Sequence, residues 1–178
     1  MQNDFTKRYA ALRRAALEKY FSNVNPMQQK AVFQTEGPVL ILAGAGSGKT
    51  TAVISRVANL VAFGKGYHSD SVPPTLTDDH AACLERYLAG EEVGLDALRA
   101  CCAVDPVKPW HILAITFTNK AAGELKSRLS ATLGEESQDI MAATFHSFCA
   151  RVLRREIEAL GYEKNFTIYD TDDSLRLI

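Results

Sequence analysis

Along this chain, stretches whose apolar residues recur at helical spacing alternate with short runs that are apolar throughout, and Gly, Pro and Asn-Pro breakers separate them. Phe5 to Tyr20 places Tyr9, Leu12, Ala16, Leu17 and Tyr20 on one face with bases opposite, which predicts an amphipathic helix. Asn25-Pro26-Met27-Gln28 reads as a second helix start, with Asn25 as N-cap, Pro26 at the first position and Gln28 placed to close a capping box. Val39 to Ala43 is uniformly apolar behind Gly37-Pro38 and predicts a strand buried on both faces of a parallel sheet. Thr51 to Phe63 then predicts a helix burying Val53, Ile54, Val57, Leu60 and Val61, stopped by Gly64.

A long excursion follows, from Gly64 to Pro109, opened and closed by breakers that include Pro73-Pro74 and Asp105-Pro106. Inside it the spacing predicts two short helices, Asp78 to Ala89 behind Thr77 and about Leu95 to Ala103, in an acidic surface insertion that decorates the domain or offers its acidic face to a protein partner. Strand and helix alternation then resumes. His111 to Thr118 and Ile140 to Thr144 read as strands, followed by helices over Asn119 to Leu133 and about Ser147 to Leu160, the latter with Phe148, Val152, Leu153 and Ile157 inward. Phe166 to Tyr169 is a further extended piece, and Asp170 to Asp173 precede a helix beginning near Ser174. The expected fold is α/β, a parallel sheet with flanking helices and a helical insertion, its ligand crevice at the C-terminal ends of the strands.

Composition narrows the class. The 178 residues suit one domain, with 47% hydrophobic and 23% charged residues. No apolar run approaches the roughly 18 residues a membrane span needs, and the polar start MQNDFTKR lacks a leader core, so a soluble cytoplasmic protein with no membrane partner is expected. Cys83, Cys101, Cys102 and Cys149 show no CxxC spacing, which predicts reduced thiols; with His68 or His111 they match no zinc template. Net charge is −1, but residues 66–110 hold eight acids against three bases, and the surplus bases lie elsewhere. They cluster as Lys7-Arg8, Arg13-Arg14, Lys120 with Lys126 and Arg128, and Arg151 with Arg154-Arg155.

The sharpest chemical signal follows Ala43: Gly44-Ala45-Gly46-Ser47-Gly48-Lys49-Thr50-Thr51. Glycines let successive amides curl around phosphate oxygens, Lys49 adds a positive charge, Thr50 places a hydroxyl for Mg²⁺, and the helix dipole points at the anion. Gln28 offers a donor and an acceptor together, the pair that adenine N6 and N7 require and guanine does not match, although a capping role alone also explains it. At the next strand end, Phe117, Thr118, Asn119 and Lys120 combine an aromatic face with polar groups, and Thr144, Phe145, His146 and Ser147 repeat the combination. Stacking faces beside phosphate donors are what single-stranded nucleic acid requires; core aromatics at helix starts are the plainer reading of Phe117 and Phe145.

Together these segments resemble the superfamily 1A DNA helicases of the UvrD, Rep and PcrA type. The matching residues are Asn25-Pro26-Met27-Gln28 with Ala31-Val32, Leu42 to Thr50, Ile115 to Ala122 with Glu124 and Arg128, and Thr144 to Ser147. Phe166 to Asp170 with Asp172-Asp173 is similar to the start of that family's next subdomain. The resemblance implies a P-loop, RecA-like domain, here its amino-terminal part over 1–178 with an insertion at about 64–110 and the next subdomain from about 166. It implies ATP and Mg²⁺ as cofactors, bound by Gln28, Ala45, Gly46, Ser47, Gly48, Lys49, Thr50 and Thr51, with Lys49 and Thr50 catalytic. Single-stranded DNA is the implied partner of Phe117, Thr118, Asn119, Thr144, Phe145 and His146. The whole activity would be ATP hydrolysis driving 3′ to 5′ stepping and strand separation in replication and repair.

Two features depart from that pattern. Within these residues no apolar run ends in Asp-Glu, and no arginine finger is recognisable; Phe166 to Asp170 is followed by Thr171. The expectation is an amino-terminal piece that binds nucleotide without hydrolysing it, partnered by the remainder of a helicase chain and prone to associate through an exposed sheet edge. The other departure is the excursion, where the family has a short link. Two competing readings are a small P-loop nucleoside or nucleotide kinase, with Phe117 and Phe145 around an acceptor base, and a non-catalytic nucleotide-dependent DNA-binding module.

Overall fold

The computed structural model describes residues 2–44, 46–72, 77–169 and 175–176. Helix α1 (Gln2–Tyr20) is followed by α2 (Pro26–Phe33) and α3 (Lys49–Ala62). The excursion contributes α4 (Asp78–Ala89) and α5 (Leu95–Cys102). After a 3-10 turn at Pro109–His111 come β1 (Leu113–Thr116), α6 (Asn119–Leu133), β2 (Met141–Thr144) and α7 (Phe145–Glu156), which tightens into a 3-10 turn at Ile157–Leu160. Ala45, Pro73-Pro74 and the proposed cap at Asp170 to Asp173 fall outside the described residues.

Strands β1 and β2 pair in parallel, with Leu113 opposite Met141 and Thr116 opposite Thr144. They are the only strands among the described residues, and α6 is the crossover between them. Ala142 packs with Ile54, Val57 and Val61 of α3 and with Leu129 of α6 in the smaller of two cores. Leu113 and Ile115 alternate to the other face and stay largely exposed.

The expected strand at Val39 to Ala43 does not form. Residues 38–44 carry no ladder, and Leu40 and Leu42 are 83% and 85% exposed. A run buried on both faces needs strands along its edges and helices over its faces, and no described strand runs beside it. Phe166 to Tyr169 is likewise unpaired. On α7 the expected inward face is open: Ile157 is buried just beyond its end, but Val152 and Leu153 are exposed and Phe148 is half-buried. On α3, Val53 is exposed and Leu60 half-buried, while Ile54, Val57 and Val61 are buried as their spacing requires.

The excursion is no surface decoration. Its helices form where the spacing places them, but Leu84, Leu98, Cys83, Cys101 and Cys102 pack with Tyr9, Leu17 and Phe21 of the amino-terminal region in the larger core. Its two ends pinch together: Lys65 N–H donates to Val104 O at 2.7 Å, Val104 N–H to Phe63 O at 3.0 Å, and Val107 N–H to Leu60 O at 2.8 Å. The path from α3 to β1 therefore leaves and returns at one point. Bases of α1 meet the acidic insertion, as Arg14 pairs with Asp70 at 3.1 Å and Arg8 with Glu85. Arg13, fully buried, donates to the carbonyls of Ser69 and Ser71. Part of the basic surplus on α1 thus neutralises the excursion rather than forming a solvated face.

Candidate nucleotide and nucleic-acid site

Between Ala43 and α3 the chain turns on Gly46 and Gly48, whose φ angles of 74° and 80° lie in the left-handed region that glycine adopts without a Cβ clash. Gly48 is the N-cap of α3 and offers no side-chain cap, so the first amides of the helix, from Lys49 to Thr51, have neither an intrahelical nor a capping acceptor. Ser47 closes the turn, its N–H and hydroxyl both donating to Gly44 O, at 3.4 and 2.7 Å. The exposed Lys49 ammonium arches back over the loop to the carbonyls of Ala43 and Gly44, at 2.9 and 2.5 Å. Thr50 is exposed on the first turn, and Thr51 is half-buried behind it.

Gln28 serves the cap and the loop together. Its N–H donates to Asn25 Oδ1 and its Oε1 accepts from Asn25 N–H, both at 2.9 Å, completing the capping box. Its Nε2 donates across 19 positions to Ser47 O, also at 2.9 Å. A carboxamide has two donor hydrogens and two acceptor lone pairs, so one of each is left for a ligand. A groove of about 550 Å³ opens beside it, lined by Met27, Gln28, Ala31, Leu40, Leu42 and Lys49. Apolar walls with one amide and one ammonium match the general make-up of a small-molecule site.

At the other candidate site, Thr116 and Thr144 are paired across the ladder, so Phe117 and Phe145 each follow the last paired residue of neighbouring strands. Both are exposed, Phe117 at 94% and Phe145 at 55%, which rules out the plain core reading of either ring. His146 is exposed and meets Phe145 edge to face, with centroids 6.2 Å apart. Thr118 and Thr144 are helix caps: Thr118 Oγ1 accepts from Ala121 N–H at 3.1 Å, and Thr144 Oγ1 accepts from Ser147 N–H at 3.2 Å. Thr144 Oγ1 also donates to Ser147 Oγ at 2.8 Å. Asn119 opens α6, and from there a groove of about 770 Å³ runs past Lys126, Thr144, Ser147 and Arg151. The two threonines hold the backbone that presents the rings, a role their spacing before a helical run signals.

Sequence reasoning passed over Arg56 and Asn59, which join α2 to α3. Arg56 Nη1 donates to the carbonyls of Ala31 and Gln34, and Asn59 Nδ2 to Val32 O at 3.2 Å. These acceptors lie 22 to 27 positions away, and in a helix that also carries Lys49, Thr50, Thr51 and Ser55 no local sign singles the pair out. Among the described residues no group of three or more His, Cys, Asp or Glu side chains is placed to hold a metal ion, and no helix is long and apolar enough to cross a membrane.

The model of the UvrD/REP helicase N-terminal domain matches residues 24–85 and 99–178. Similar proteins include the ATP-dependent DNA helicase PcrA of Bacillus subtilis, 41% identical over 157 residues, which is 88% of this chain and 16% of that protein. PcrA of Staphylococcus epidermidis is 40% identical over 156 residues, and that of Staphylococcus aureus 37% over 157, with the same coverage of each chain. The chain thus spans about a sixth of the length of the curated relatives it matches. By the extent of that match it belongs to the UvrD/REP helicase N-terminal domain family.

Proposed function

We propose that the chain is the nucleotide-binding, amino-terminal part of an ATP-dependent 3′ to 5′ DNA helicase with a RecA-like P-loop domain, the rest of such a protein supplying strands beside residues 38–44. Its relatives carry the name of an ATP-dependent DNA helicase. The observation that carries the reading is the pair of exposed phenylalanines after the last rung of one parallel ladder, beside a groove bearing Lys126 and Arg151. Aromatic faces at adjacent strand ends stack successive bases without reading sequence, and the cations track the phosphates. Asn119 and His146 add polar contacts, while Thr118 and Thr144 hold the tips.

On the nucleotide side, the amides of Gly46 and of Gly48 to Thr51 receive phosphate oxygens and Lys49 exchanges its loop carbonyls for the same anion. The oxygen donor set suits Mg²⁺, which is held through few protein ligands plus phosphate; the Thr50 hydroxyl is the ligand this chain offers. Bound there, the ion neutralises phosphate charge. Gln28 presents its remaining donor and acceptor to adenine. Without an Asp-Glu pair to orient water, these residues bind nucleotide and leave it intact.

Fluorescence anisotropy with a labelled oligothymidylate, competed by free nucleosides, tests the reading. Phe117→Ala and Phe145→Ala are each expected to weaken oligonucleotide binding by about 1–3 kcal/mol, with nucleosides competing poorly. Preference for a nucleoside over the oligonucleotide would favour the kinase reading instead.

A further inference from the structure

Helix α2 spans only Pro26–Phe33, and its last carbonyls have no donors of their own within the helix. Three of them, and the carbonyl of the following Gln34, are met in a definite way. Lys30 O accepts from the N–H of Gln34, Ala31 O and Gln34 O accept from Arg56, and Val32 O accepts from Asn59. Arg56 and Asn59 are three apart on α3 and so share a face of the helix that begins at Lys49. A cation at this end of α2 also complements the helix dipole. Burial lowers the affinity of Arg56 for its proton, but a guanidinium remains charged at neutral pH.

The other end of α2 carries Gln28 against Ser47 of the phosphate loop. The helix is therefore tied to α3 at its C-terminal end and to the loop preceding α3 at its N-terminal end. Gln28 and Ala31 lie about one turn apart, roughly 4.5 Å along the axis, so a tilt released at one end is felt at the other. A displacement of about 1 Å is enough to remove a hydrogen bond of ordinary length.

We propose that Arg56 is a positioning residue for nucleobase selection: by clamping the C-terminal carbonyls of α2 onto α3, it sets the place from which Gln28 meets the base. The inference rests on the reading of Gln28 as the adenine-recognising group. Arg56 touches neither base nor phosphate. It acts by keeping a carboxamide at the position where adenine offers one donor and one acceptor and guanine offers two acceptors.

Competition of ATP and GTP against a fluorescent ATP analogue, with Mg²⁺, on the 178-residue chain tests it. The unaltered chain and Gln28→Ala establish the reading on which the inference rests: the former is expected to prefer ATP by about tenfold or more, and the latter to lose that preference. Equal affinity for ATP and GTP in the unaltered chain would overturn the Gln28 reading and the inference with it. Arg56→Ala is expected to weaken ATP binding by about tenfold while changing GTP binding less than about twofold. Arg56→Lys, which keeps a cationic donor for both carbonyls, is expected to restore the preference. A folded Arg56→Ala that keeps the ATP preference, or that loses ATP and GTP in equal proportion, would overturn the inference while leaving Gln28 untouched. Where Arg56→Ala fails to fold, Arg56→Gln, with a neutral and shorter amide, is read by the same criteria.

Discussion

Cys101 and Cys102 sit in the larger core, and burial pushes each thiol up to about 12, with the neighbouring thiols adding to the effect. An acid whose native value lies above its unfolded value of about 9 stabilises the fold fully below pH 9, and that contribution is lost as pH climbs toward 12. Thermal melts between pH 8 and pH 11 are therefore expected to show a falling midpoint, and Cys101→Ala with Cys102→Ala to flatten the slope. An unchanged slope in that variant would remove these thiols from the account. At this scale the sequence was informative where the chemistry is local. Asn25 and Gln28 occupy the spacing that a capping box requires, whereas Thr118 and Thr144, expected only as nucleic-acid contacts, prove to be caps, and Arg56 finds its acceptors through folding and left no motif to read.

The two excursion helices show what spacing does and does not reveal. Their boundaries follow from Thr77, Gly90 and the apolar period, all local features. What they pack against was not legible, because Leu84 and Leu98 meet α1 across some seventy to ninety positions and a single amphipathic stripe does not name its partner. Closure of the excursion leaves a mark at Gly64 and Gly66. A Cβ on Gly64 would overlap the carbonyl oxygens of Val104 and Asp105, and one on Gly66 the carbonyl oxygen of Cys102. Gly66→Ala is thus expected to destabilise the protein by about 2 kcal/mol or more, read as a shift in the urea midpoint. A neutral result would mean that the pinch is slack. The strand expected at Val39 to Ala43 does not form: an apolar run is a local feature, but a ladder needs a partner, and no described strand lies beside it.

Across the whole molecule, the segments outside the family match are residues 1–23 and 86–98. They belong to α1, with the turn after it, and to the end of α4, its link to α5 and the start of α5. The larger core joins these helices to α2 and α3, and a smaller one joins α3 and α6 to the ladder. Helix α3 takes part in both and begins with Lys49. The proposed nucleotide binding therefore requires the loop before α3 to be an anion cradle. Equilibrium titration of the chain with a fluorescent ATP analogue and Mg²⁺ tests this most directly, alongside Lys49→Ala and a turnover assay with single-stranded DNA. Saturable binding that Lys49→Ala weakens at least about tenfold, without DNA-stimulated hydrolysis, is the expected result. Binding that Lys49→Ala leaves unchanged would contradict the cradle, and turnover abolished by that substitution would contradict the claim that these residues bind nucleotide without cleaving it.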